Sequence, residues 1–157
     1  MRSLGPSQLL AFLASGAILG LSAAQLTTGF GLSFPVSPLS MIITLPIIGV
    51  AIFLASLPIA RYRKQLEKYT EGPRPQRPNP FYAVRVLVIS RATSLAGALF
   101  AGWHLGALVW LFSFSVAPAA LVSSTGFGLA GSLVMLGGGM VAEQNCRAPR
   151  DPGEGAE

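Results

Sequence analysis

Charge is almost absent from two long parts of this sequence. Residues 3–60 contain no Asp, Glu, Lys, Arg or His, and residues 92–142 contain a single titratable side chain, His104. Over the whole chain 11% of the residues are charged, against about a quarter in typical soluble domains. Because 52% of the residues are hydrophobic, so few charges favour a protein embedded in lipid over a water-soluble globule.

Cysteine and paired reactive side chains are also scarce. Cys146 is the sole cysteine, so no intramolecular disulfide can form and no metal cluster is indicated. We find no nucleophile with a base, no phosphate-binding glycine loop before a helix and no paired carboxylates in the apolar runs. The sequence therefore predicts no cofactor and no metal, and an enzyme is the least favoured class.

Each apolar run exceeds the roughly 20 residues that span a bilayer and is long enough for two spans. Turn-forming residues divide the runs, TTGFGLSFPVSP at 27–38 and, more weakly, SFSVAP at 113–118. We predict an all-α, polytopic membrane protein whose single domain covers residues 1–157. Its four transmembrane helices are placed at about 7–26, 39–60, 86–112 and 119–142. They form two hairpins joined by a basic, proline-rich cytoplasmic loop at 61–85, with a disordered tail at 147–157.

The basic residues predict the orientation of these spans. All eleven fall on one side of the predicted arrangement, the side that holds the long loop and both termini. Lys and Arg in short loops are retained in the cytoplasm, so we expect a multi-pass plasma membrane protein with both termini cytoplasmic. A competing interpretation is that Arg2, the apolar residues 9–21 and the small residues 22–24 form a cleavable signal peptide, which would leave three spans.

The predicted cytoplasmic loop contains a helix extension, a proline-rich connector and a helix cap. ARYRKQLEKYTEG is predicted to continue the second helix into water, GPRPQRPNP to form a stiff connector, and Asn79 to cap a helix that begins at Pro80. Basic side chains at the membrane flanks either fix the topology or also bind anionic lipid headgroups or an acidic partner. The candidate headgroup contacts are Arg61, Arg63, Lys64, Arg85, Arg91 and Arg147. Since the net charge of +5 and the pI near 10.2 arise from these flanks, nucleic-acid binding is not expected.

Small residues recur at every fourth position within three of the predicted helices. Such stripes let helix backbones approach closely in lipid. They pack either inside one bundle or against a second copy or an unknown membrane protein partner, and the sequence leaves both alternatives open. The candidate packing or partner face consists of Gly16, Gly20, Ser94, Ala98, Gly102, Gly106 and Gly128.

His104 is the candidate polar site within the membrane. It lies thirteen residues beyond Arg91, hence about 20 Å deeper in the bilayer, and an ionisable residue at that depth is a functional candidate. No other titratable group exists in the spans to complete a proton relay or a metal site. A neutral imidazole that is hydrogen bonded to a neighbouring helix, through Ser94 or Thr44, is therefore the plainer interpretation.

Several motifs resemble a known family. They are the A-x-R of residues 83–85, the run RATSLAGALFAGWHLG and the E-x-x-C-R-x-P of residues 143–149. The chain resembles an actinobacterial family of small four-helix membrane proteins of unknown function, domain-of-unknown-function family 3180, often encoded beside folate-biosynthesis genes. The resemblance covers nearly the whole chain and implies a four-helix fold but no established activity. Its motif positions here are Arg85, Arg91, Ser94, Gly97, Gly102, Gly106, Glu143, Arg147 and Pro149.

These observations favour a non-enzymatic accessory or scaffold subunit of a membrane complex. The alternative is a small oligomeric carrier or channel in which several copies line a path and His104 contributes to it. The two hypotheses differ in the side chains they require, because a carrier needs His104 and a scaffold needs the small residues that bring helices together.

Overall fold

The computed structural model describes residues 5–67, 79–113 and 118–147, which form four α-helices and no strand. The helices are α1 (Pro6–Gly29), α2 (Leu39–Glu67), α3 (Pro80–Phe112) and α4 (Ala119–Cys146). Each is long and apolar enough to cross a membrane. The predicted all-α class with four candidate membrane spans is therefore confirmed.

The helices extend beyond the predicted spans at the ends that carry the basic residues. α2 continues to Glu67 and α3 begins at Pro80, so parts of the segment 61–85 are helical, as the run that starts ARYRKQLE and the Asn79–Pro80 pair predict. Asn79 caps α3 by accepting a hydrogen bond from the backbone N–H of Phe81 at 3.0 Å, as predicted. The 33 residues of α3 measure about 50 Å, more than the roughly 30 Å hydrocarbon core. The connector at 68–78 and the tail beyond Arg147 lie outside the described residues.

A glycine turn ends α1. Gly31 has a φ of +69°, and the N–H of Leu32 donates to the carbonyl of Thr27 at 2.8 Å. This is the Schellman arrangement, in which a left-handed glycine lets the last carbonyls of a helix find donors. The loop at residues 30–38 is called the α1–α2 loop below. It begins about one helical turn later than predicted, because α1 continues to Gly29.

The four helices do not pack in chain order. α1 packs on α3, α3 packs on α4, and α4 packs on α2, while α3 also touches α2. Within the described residues α1 and α2 make no contact with each other. The α3–α4 pair is consequently the centre of the bundle, and the two helices of the first hairpin lie apart.

Glycines bring the backbones of α1 and α3 together. A Cβ atom added to Gly16 or Gly20 would collide with the carbonyl oxygen of Leu99 or Trp103, and one added to Gly102 or Gly106 would collide with carbonyl oxygens of α1. The glycine Cα–H groups point at these oxygens, a weak but recurrent helix–helix interaction. Because the contacts advance along both helices in the same direction, α1 and α3 run parallel.

Comparable contacts join α4 to both of its neighbours. Gly138 lies against the backbone of Gly49 in α2, and Gly97 of α3 lies against the backbone of Leu136. Pro46 interrupts α2 and leaves the carbonyl of Ile42 without its usual amide donor. Gly131 fits over this break, and an added Cβ would lie 3.0 Å from the Pro46 ring. α2 and α4 are thus held together by small residues at several levels.

Candidate functional site

Two polar layers lie at opposite ends of the bundle, with apolar packing between them. The loop end contains the α1–α2 loop, and the basic end contains the end of α2, the start of α3 and the end of α4. Buried apolar residues separate the layers, among them Ala98 and Ala101 of α3 and Met135 of α4. Each layer can therefore be described as a separate site.

His104 is the centre of the loop-end layer and is 1% exposed. Its Nδ1 lies 2.7 Å from the carbonyl oxygen of Phe100, an acceptor only, so Nδ1 carries the hydrogen of the neutral ring. Nε2 then accepts a hydrogen bond from the Ser37 hydroxyl at 2.9 Å. The Ser132 hydroxyl donates to the carbonyl of Gly128 at 2.8 Å, and its oxygen lies 3.3 Å from Nδ1. The imidazole thereby joins α3, α4 and the α1–α2 loop.

The predicted partners of His104 are wrong. Ser94 donates to the carbonyl of Ser90 at 3.0 Å, and Thr44 donates to that of Met41 at 3.3 Å, so each hydroxyl is used within its own helix. Ser37 was not predicted as a partner, because the composition of residues 27–38 indicates only a turn. The sequence feature that could have identified Ser37 is its position between Pro35 and Pro38, because the two prolines restrict the backbone that carries its hydroxyl.

An open cavity of about 280 Å³ adjoins this layer. It lies between the α1–α2 loop, the first turn of α2 and α3. Among the side chains that line it, only those of Ser37 and Trp103 carry an O–H or N–H group. The lining residues are Pro35, Val36, Ser37, Pro38, Met41, Phe100 and Trp103.

Glu143 is the centre of the basic-end layer and is 3% exposed. Its Oε1 lies 3.2 Å from Nε of Arg91 and 3.1 Å from a terminal guanidinium nitrogen of Arg147. The pair with Arg147 has the i,i+4 spacing of neighbours on one helix face, whereas the pair with Arg91 joins two helices. A buried carboxylate between two guanidinium groups is compensated in charge and in hydrogen bonding.

Further polar contacts tie α2 to this layer. The amide of Asn145 donates to the Ser56 hydroxyl at 3.0 Å, and the Arg63 guanidinium donates to the carbonyl of Gln144 at 3.2 Å. The Tyr82 hydroxyl donates to the carbonyl of Ala55 at 2.7 Å. Of the remaining candidate headgroup contacts, Arg61, Lys64 and Arg85 are exposed at this end. The layer thus combines interhelical contacts inside with basic side chains outside.

The candidate packing face lies inside the bundle. Gly16, Gly20, Gly102 and Gly106 form the α1–α3 contact. Ser94 faces Gly139, Gly128 leaves room for the His104 ring, and Ala98 is buried. By contrast, a Cβ added to Gly126 or Gly137 of α4 would meet no atom within 4 Å.

The described residues contain no group of three or more His, Cys, Asp or Glu side chains that could hold a metal ion. Fold and site together define a polytopic helical membrane protein whose buried polar side chains bond mainly to groups of its own chain, either within one helix or between helices. The chain belongs to the family described as "Protein of unknown function (DUF3180)", whose model matches residues 9–150. This confirms the family suggested by the sequence motifs. No curated protein and no solved structure matches the chain.

Proposed function

We propose that this protein is a non-enzymatic accessory or scaffold subunit of a membrane complex. The main support is that its buried polar side chains are already engaged within the chain. Except for Thr93, each buried polar residue in the described ranges has a hydrogen bond or ion pair to another group of the chain. In a scaffold subunit, buried polar groups are expected to be hydrogen bonded within the chain. A catalyst or a carrier instead needs polar groups directed at its substrate.

The exposed helix surfaces give the scaffold hypothesis a second support. In the apolar windows of α1 and α2, 17% of the residues are buried inside the bundle, against 44% in α3. Helix association in lipid depends on close packing of shape and not on the exclusion of water. A bundle with fixed internal glycine contacts and two lightly covered helices can present a firm surface to another membrane protein.

The carrier hypothesis has less support in this geometry. Both ring nitrogens of His104 face groups of the same chain. Within the described helices, the apolar layer between the two ends leaves a single copy without a continuous polar lining. A path would have to form between copies, and the His104 ring would have to exchange Ser37 for a substrate.

The basic end is proposed to face the cytoplasm and to contact anionic lipid headgroups in the plasma membrane. Its exposed side chains include Arg61, Lys64 and Arg85, and each basic residue near an anionic leaflet contributes about 1 kcal/mol. Retention of phosphatidylglycerol over phosphatidylcholine by the purified protein, measured by native mass spectrometry, tests this. Equal retention of the two lipids would leave these residues with a topological role alone.

The scaffold proposal is tested by purifying the tagged full-length protein from its native membrane in mild detergent, followed by native mass spectrometry. We expect a stoichiometric second membrane protein. Leucine substitutions on three exposed surfaces, Ala14→Leu in α1, Ala51→Leu in α2 and Gly137→Leu in α4, then locate the contact. One of them should release the partner without unfolding the bundle.

Gly102→Leu is the matched internal variant. It should release the partner only together with loss of the folded bundle, because its added side chain would enter the α1–α3 contact. Recovery of self-oligomers alone from native membranes would contradict the scaffold proposal and would favour the carrier hypothesis.

A further inference from the structure

The loop-end cavity has a form that suits a specific ligand. Its volume of about 280 Å³ is near the lower limit of the roughly 300–1,000 Å³ found for small-molecule sites. A transmembrane helix, about 10 Å wide, is too large to enter it. The cavity can accept a slender chain or a small apolar group.

The α1–α2 loop holds the cavity open. Pro35 and Pro38 restrict its backbone, and the Ser37 hydroxyl is fixed by its 2.9 Å hydrogen bond to His104. His104 is itself fixed by the Phe100 carbonyl. A wall that is ordered before binding loses little conformational entropy when a ligand enters.

The walls select an apolar occupant. Two prolines, Val36, Met41, Phe100 and the Trp103 ring offer water few hydrogen-bond partners, and apolar cavities of this kind tend to stay dry. Where an apolar wall of a membrane-spanning bundle faces the bilayer, the surrounding solvent is acyl chains. Met41 adds a flexible side chain that adapts to an irregular apolar surface.

Trp103 has the one N–H donor among the side chains that line the cavity. Its indole N–H has no acceptor within the described part of the chain, and the residue lines the cavity. Indole rings lie preferentially at the membrane interface, where the apolar body meets chains and the N–H meets an oxygen acceptor. Residues 3–60 and 92–142 contain no acidic or basic side chain other than His104, so a charged headgroup has no partner there.

We propose that this cavity binds one acyl chain of a phospholipid from the leaflet opposite the basic end, with the ester carbonyl of that chain accepting a hydrogen bond from Trp103. Recognition depends on the chain and its ester group and is independent of headgroup charge. The proposal goes beyond the scaffold function and does not depend on it. His104 contributes by positioning Ser37 and the loop, not by touching the lipid.

Fluorescence quenching tests this site directly. The chain has two tryptophans, so Trp110→Phe leaves Trp103 as the only reporter. The full-length variant is reconstituted in phosphatidylcholine whose acyl chain is brominated near the ester end. We expect strong quenching that falls when Val36→Phe or Met41→Phe fills the cavity. Val50→Phe, on the exposed surface of α2, is the control and should leave the quenching unchanged.

Native mass spectrometry of the same variants gives an independent readout. The protein with an open cavity should retain one phosphatidylcholine more than the two filled variants, and Trp103→Phe should weaken this retention roughly fivefold, the value of one hydrogen bond. Phosphatidylglycerol should be retained at this site equally well. Unchanged quenching and retention in both filled variants, or retention that follows headgroup charge, would overturn the proposal.

Discussion

Replacing Gly102 by alanine tests whether the α1–α3 glycine contact holds the bundle together. The added methyl group would collide with the carbonyl oxygen of Leu13 and would lie 2.8 Å from the amide nitrogen of Ala17. Both atoms belong to the α1 backbone and cannot rotate away as a side chain would. Since carbon atoms need roughly 3.5 Å from their neighbours, the two helices have to separate.

The cost can be worked out from what the separation removes. Four glycine Cα–H groups face carbonyl oxygens across this interface, and each such contact contributes about 0.5–1 kcal/mol. A gap of 0.5–1 Å forfeits roughly a quarter to a half of the dispersion attraction, and overpacking costs about 1–3 kcal/mol. We therefore expect Gly102→Ala to lower the free energy of unfolding by about 2–3 kcal/mol.

The assay is reversible unfolding in mixed micelles at increasing mole fraction of sodium dodecyl sulfate, followed by tryptophan fluorescence. Gly137→Ala is the matched control, because its methyl group meets no atom within 4 Å. It should leave stability unchanged or slightly raised. Adding Gly16→Ala to Gly102→Ala should cost less than two independent changes, since the helices are already apart. Equal stability of Gly102→Ala and Gly137→Ala would refute the interpretation of this contact.

Three further predictions concern the polar layers and the orientation. Ser37→Ala should raise hydrogen exchange in the α1–α2 loop at a stability cost of about 1 kcal/mol, and His104→Ala should do the same at greater cost; unchanged exchange in both would contradict the proposed tie. Glu143→Gln should destabilise the bundle by about 2 kcal/mol, because it leaves two partly exposed arginines without their counter-charge. Unfolding in the same mixed micelles measures this, and unchanged stability would show that Glu143 does not stabilise the basic-end layer. In intact cells, an impermeant maleimide should label Ser33→Cys but not the native Cys146, and the reverse pattern would place the basic end outside.

The four apolar helices could be predicted from the sequence, because hydropathy over a span is a property of consecutive residues. The breaks at residues 30–38 and 113–118 carry local turn chemistry, and the Asn79 cap is encoded within three residues. Hydropathy alone did not give the helix ends. It placed the start of the third span near residue 86, whereas α3 begins at Pro80, as the Asn79 cap predicts, because a helix continues into the headgroup region as long as its backbone hydrogen bonds do, whatever the polarity of its side chains.

The partners of polar groups were harder to find. Glu143 and Arg147 form a pair within one helical turn, and spacing alone predicts it. Arg91 joins the same carboxylate from another helix, and Ser37 reaches His104 across sixty-seven positions of the chain. Neither contact follows from local sequence, because each depends on which helix faces which.

The sequence by itself determined the membrane class, the four apolar helices, the segregation of basic residues and the family. These properties are sums or spacings along the chain. Only the tertiary structure decided that the glycine stripes are used within one bundle, that α1 and α2 lie apart and that His104 is tied to the α1–α2 loop. In lipid any apolar helix face can meet any other at similar cost, so the choice depends on close complementarity of shape between particular small residues and backbone carbonyls.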